Sequence, residues 1–205
     1  MLVPKVLKKL LVLITLFVSG CATGPPAKPN NLCAIFSERT GWHRAAIAQQ
    51  KKWQVPMYTT LAIMAQESSF RSTAVPPRKY YLGFIPGKRL SSAYGYPQAL
   101  DGTWRNYLNA TGESGRRRDN FADSLDFSNW YITRSASENG IAKNDTYRNY
   151  LNYHEGWVGY RRGSYKKKSW LIGVARKVET RAGIYASQHQ QCLRPPSRSL
   201  LQRVF

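Results

Sequence analysis

Residues 61–70, LAIMAQESSF, decide the fold: an apolar run closes on one carboxylate, Glu67, and two hydroxyls. Pro56 suits the first turn of a helix, where its missing N–H costs nothing, and Met57, Leu61, Met64 and Ala65 recur at helical spacing. The spacing predicts an apolar helix with Glu67 in its last turn, just off the buried stripe. Glu67 is also the only Asp or Glu between residues 39 and 100. An acid alone at the rim of an apolar face has its pKa raised by desolvation, as a general acid working at neutral pH requires. The competing reading of this stretch is an ordinary solvated glutamate near a helix end.

Outward from that helix the chain reads as helices joined by polar turns. Residues 42–52 form a short amphipathic helix before it. After it, periodicity vanishes over residues 71–92, where Pro76, Pro77, Gly83, Pro86 and Gly87 interrupt the pattern while Tyr80, Tyr81 and Phe84 supply aromatic faces. A loop of this length in a compact domain is usually functional or disordered. It is expected to cover a cleft and stack on sugar rings, or else to be an insert whose tyrosines pack locally. A helix follows over 97–109, with Trp104 in the core, then a polar turn, then a helix capped by Asp126 or Ser128 whose apolar face begins at Trp130 and Tyr131. Asp145 or Thr146 caps another, with Tyr147, Tyr150, Leu151 and His154 on one face and Gly156 at its end. Trp170, Leu171, Val174, Ala175 and Val178 mark the last. Six helices with little strand signal give an all-α domain with a cleft.

The N-terminus sets the compartment. Lys5, Lys8 and Lys9 precede an apolar run over 10–18, a charged n-region and an h-region too short to span a bilayer. The run ends in Val18-Ser19-Gly20-Cys21, which resembles the lipobox of bacterial lipoproteins. That resemblance implies lipidation of Cys21 after removal of residues 1–20 and, with Ala22 rather than an acid next, placement on the periplasmic face of the outer membrane. Residues 21–31, rich in Pro, Gly and Asn, read as a tether, residues 32–192 as one domain, and residues 193–205 as a basic tail.

The formal charge of +20 points to a polyanionic neighbour. For an exported chain that neighbour is peptidoglycan or anionic lipid rather than nucleic acid. Cys33 and Cys192 bracket the domain and form an even pair in an oxidising space, expected to be bridged or else to remain as two thiols. No metal site is expected, because His43, His154 and His189 have no ligand spacing with a cysteine or a carboxylate cluster. No cofactor is called for.

Four stretches, in this order, carry a resemblance: Glu67-Ser68 with Phe70; Ala93-Tyr94-Gly95-Tyr96-Pro97-Gln98 running on to Gly102-Thr103-Trp104; Asp126-Phe127-Ser128-Asn129; and Asn152-Tyr153-His154-Glu155-Gly156. The chain resembles the lytic transglycosylases with the lysozyme-like SLT domain, over about residues 42–180. The resemblance implies an all-α lysozyme-like fold that cleaves the MurNAc–GlcNAc β-1,4 bond of peptidoglycan. Glu67 would be the catalytic acid and then base, with the substrate's own C6 hydroxyl as nucleophile and a 1,6-anhydro ring as product. Ser68, Gly95, Gln98, Tyr153 and His154 would contact the sugar.

Two departures stand out. Tyr96-Pro97 replaces Leu-Met, which is expected to alter the cleft floor, and His154-Glu155 replaces Asn-Ala. Two alternatives remain at this stage. One is a non-catalytic peptidoglycan-binding lipoprotein, of an envelope or secretion complex. The other is a lysozyme-type hydrolase, which needs Asp101, Asp126 or Glu155 near enough to position water.

Overall fold

The computed structural model describes residues 24–192; the expected signal peptide, Cys21 and the basic tail lie outside the described residues. The described residues form seven α-helices: α1 (Leu32–Glu38), α2 (Thr40–Trp53), α3 (Met57–Ser68), α4 (Asp101–Thr111), α5 (Phe121–Asn139), α6 (Thr146–Arg161) and α7 (Ser169–Cys192). A two-stranded hairpin, β1 (Arg78–Tyr81) and β2 (Ile85–Arg89), sits between α3 and α4, and a 3-10 turn at Ser164–Lys167 precedes α7. The all-α lysozyme-like class expected from the sequence describes this arrangement.

Helix α3 is the axis of the domain. Nine of its twelve residues are buried, as suits a helix that is apolar nearly all round, and α2, α5, α6 and α7 enclose it. Its two central threonines are satisfied by neighbouring helices. Thr60 donates to Asn129 on α5, and Thr59 meets Thr146 on α6 at 2.9 Å. These bonds fix the rotation of α3. Because residues seven apart share a helix face, the Thr60 bond also aims Glu67 toward α5.

A second, largely aromatic cluster, Ala99, Trp104, Tyr107, Phe127, Trp130 and Tyr131, fills the space between α4 and α5. Helices α5 and α6 are bolted together by Asn152, whose side chain donates to Ser135 at 2.6 Å and accepts from Asn139 at 2.7 Å.

Several boundaries differ from the sequence reading. Helix α5 begins at Phe121 because Asn120 caps it, accepting from the Asp123 amide; Asp126 and Ser128 lie inside the helix and cap nothing. Helix α4 begins at Asp101, since residues 93–99 form a tight turn closed by a Tyr94–Ala99 bridge. Asp145 does cap α6, but the chain continues helically past Gly156, which makes a kink at φ 74° rather than an end. The stretch over 71–92 contains strands, because Tyr80, Tyr81 and Ile85 are good β-formers and Leu82-Gly83 supplies the two positive φ values, 52° and 80°, of a tight hairpin turn. Proline and glycine punctuation hid this pairing.

The tether reading fails for residues 24–31, which lie on the domain. Arg39 donates to the Gly24 carbonyl at 3.0 Å, the Ala27 amide to Glu38, and Tyr185 on α7 to the Pro29 carbonyl. Backbone carbonyls that a free tether would leave to water here find side-chain donors. Beside them a disulfide joins Cys33 to Cys192, with Cα atoms 5.7 Å apart.

Candidate active site

Glu67 emerges in the last turn of α3, where the chain must turn sharply so that the carboxyl is not covered by a further turn of helix. Ser69 and Phe70 make that turn with φ values of 50° and 59°. Phe70 is fully buried, its ring 5.8 Å from Trp42, which holds a backbone that would otherwise relax.

The carboxyl opens into a cleft of about 420 Å3, with Gln98, Ala99, Leu100, Thr103, Phe127 and Tyr131 among its walls. Tyr153, His154, Glu155 and Gly156 form the α6 side, and Pro76, Ser91 and Ala93 the side below the hairpin. Burial pushes Glu67 up to about 7, against the opposing effect of a hydrogen bond from the Tyr150 hydroxyl. It is a carboxyl that still carries its proton near neutrality. Tyr150 and Tyr153 are three residues apart on one face of α6, and the Glu67 charge acts on both.

The other expected site residues divide. Gln98 lines the cleft, and its amide donates to the carbonyls of Ala74 and Gly95, both at 2.9 Å; it closes the base of the hairpin segment. Tyr153 lines the cleft and donates to the Pro97 carbonyl at 2.7 Å. His154 lines it too, held through Nδ1 on Glu155 at 2.9 Å and edge-on against Trp170 at 5.2 Å.

Ser68 and Gly95 do not reach the cleft. Ser68 is buried and donates back to the Met64 carbonyl at 3.2 Å, a bond that helix-end serines readily make. Gly95 is demanded by packing. At φ +73° its α-carbon faces the Arg118 backbone so closely that a Cβ would lie 2.2 Å from that carbonyl oxygen. Tyr96 does not form a cleft floor either; it is buried edge-on between Trp42 and Phe121. Tyr80, Tyr81 and Phe84, expected over the cleft, are not among its walls.

The three carboxylates that a hydrolase would draw on are engaged. Asp101 pairs with Arg118 at 2.8 Å on the surface. Asp126 is fully buried and accepts from Lys52, from the Trp53 indole and from Tyr107 at 2.7 Å. Burial works against the Asp126 charge, and those bonds hold it below the usual carboxylate range. Glu155 does line the cleft. Desolvation raises it, but Lys168, Ser164 and His154 bring it down to about 2, with both oxygens occupied.

The comparison with known families decides the assignment: the family described as transglycosylase SLT domain matches residues 9–192. The chain belongs to the transglycosylase SLT domain family. No curated protein and no solved structure matches it. Membership supports lytic transglycosylase activity in general, with peptidoglycan as the substrate.

Sequence reasoning passed over four features of this SLT domain. Tyr150, which bonds Glu67, was legible only as one more aromatic on an α6 face, although its three-residue spacing from Tyr153 was the available signal. Of the cleft walls on α5, Phe127 read as part of a motif without a role and Tyr131 as the start of an apolar face. Thr103 read as part of a motif without a role.

Proposed function

We propose that this SLT domain is a lytic transglycosylase in which Glu67 acts alone. Its protonated carboxyl gives a proton to the glycosidic oxygen between MurNAc and GlcNAc, and the bond from that oxygen to C1 breaks. The C6 hydroxyl of the same MurNAc then attacks C1, and the Glu67 carboxylate takes its proton. No water enters, and a 1,6-anhydro ring closes. An attacking group already attached to the substrate has the advantage of a held reactant. Gln98, Tyr153 and His154 line the sugar's path.

The observation that carries this reading is a carboxyl near pKa 7 in a cleft whose other carboxylate, Glu155, is saturated with donors. We also read Cys21 as the lipid attachment point that holds the domain at the periplasmic face of the outer membrane; labelling with a fatty-acid analogue, lost in Cys21→Ala, checks it.

The test of the chemistry is mass spectrometry of peptidoglycan digested by a chain beginning at Ala22, which keeps every described residue. Muropeptides ending in 1,6-anhydro-MurNAc are expected, and Glu67→Gln should lower their release at least about a hundredfold. Reducing-end products from the unmodified chain would instead establish a hydrolase. Sedimentation on peptidoglycan with no release would leave a binding lipoprotein.

A further inference from the structure

The hairpin takes no part in the cleft chemistry, and its composition is ordered along its length. Residues 78–89 read Arg-Lys, then eight uncharged residues, then Lys-Arg. Pairing puts Arg78 opposite Arg89 and Tyr81 opposite Ile85, so all four cations stand at the base and all the apolar side chains at the far end. That end is bare: Leu82 is 82% exposed and Phe84 73%, with Tyr80, Tyr81 and Ile85 exposed beside them. The hairpin packs against no helix among the described elements.

The arrangement is costly for the free protein. Two like charges face each other across a strand pair, which destabilises it, and none of the four cations pairs with a carboxylate among the described residues. Leu82 occupies a left-handed position at φ 52°, where Asn or Gly is far easier. The arm is nevertheless firmly built. Arg89 donates to the Pro76 carbonyl at 2.9 Å and Arg78 to the Gly87 carbonyl at 3.0 Å, while the Tyr81 ring covers Gly87, where a Cβ would meet it at 2.6 Å.

We propose that the 78–89 hairpin is a docking arm for an anionic phospholipid surface, inserting Leu82 and Phe84 below the headgroups while Arg78, Lys79, Lys88 and Arg89 lie on the phosphates. The dimensions fit. Leu82 stands three residues beyond Lys79, roughly 10 Å at about 3.3 Å per residue, and interfacial apolar groups settle about 5–10 Å into the headgroup and acyl boundary. Cations set back from an apolar end match the order of a bilayer surface met from the water. A glycan strand fits less well, since sugars stack on tyrosine faces but gain nothing from Leu82 or Ile85. The arm does not depend on the chemistry proposed for Glu67, and because Pro76 and Ser91 at its base are cleft walls, docking would bring the cleft to the membrane.

The test uses the chain beginning at Ala22 in co-sedimentation with vesicles of phosphatidylcholine and phosphatidylglycerol, with phosphatidylcholine alone, and with purified peptidoglycan. The key variant is Leu82→Ser with Phe84→Ser, which leaves the charge of this basic chain unchanged; far-UV circular dichroism and thermal unfolding should match the parent. Binding to the anionic vesicles is expected to fall at least tenfold, and Lys79→Gln with Lys88→Gln should weaken it and flatten its salt dependence. Anhydro-muropeptide release in solution reads the cleft separately, so failure of either idea is visible alone. Unchanged vesicle binding by the Leu82/Phe84 variant would overturn the proposal, because the basic body would then be binding by itself. Loss of peptidoglycan sedimentation with vesicle binding intact would assign the arm to the glycan instead.

Discussion

Burial sets the working range of Glu67, and the sign of the effect can be followed through both activity and stability. As the proposed general acid, Glu67 must hold its proton in the free enzyme, so on that proposal kcat/KM should fall as pH rises through about 7; a pH–rate profile on purified peptidoglycan checks this. The same shift bears on folding. Glu67 is raised in the folded state from an ordinary value of 4.5, so its contribution is fully present below pH 4.5 and is lost as pH climbs to about 7. That loss approaches about 3 kcal/mol at alkaline pH. Glu67→Gln, which has no charge to bury, should therefore be more stable than the parent at pH 8 and close to it at pH 4.5, as read by urea unfolding at the two pH values. Equal stability at pH 8 would mean the carboxyl is better hydrated than its surroundings suggest.

Among the elements, α5 carries a buried charge on which two other helices depend. Asp126 gathers Lys52 and Trp53 from α2 and Tyr107 from α4 onto one buried carboxylate. Asp126→Ala would strand the indole and phenol donors while Lys52, about half exposed, turns to water. A loss of about 3 kcal/mol is expected in urea unfolding, with Glu67 chemistry reduced only through the fold. This anchor was invisible in the sequence, where Asp126 has the look of a helix cap, because the residues that satisfy it are 19 to 74 positions away. Helix α3 was legible for the opposite reason: its burial is written in its own apolar spacing. The hairpin lay between these cases. Its strand formers are local, yet their pairing depends on a turn with leucine at a positive φ, which no composition rule anticipates.

At the scale of the whole molecule, the order of the four motifs was enough for the fold, since helices that must enclose α3 can be arranged in few ways. It was not enough for individual contacts. Ser68 and Gly95 sit in motif positions yet serve the backbone, while Tyr150 sits outside every motif and bonds the acid. The disulfide has a mechanical consequence. With Cys33 and Cys192 joined, the two ends of the domain leave from one point, so tension applied between an anchor before residue 33 and anything held beyond residue 192 passes through the covalent bond and bypasses the helices. Pulled by its termini, the oxidised domain should show no unfolding step within that span. After reduction the same pull should release 159 residues, roughly 50 nm of chain.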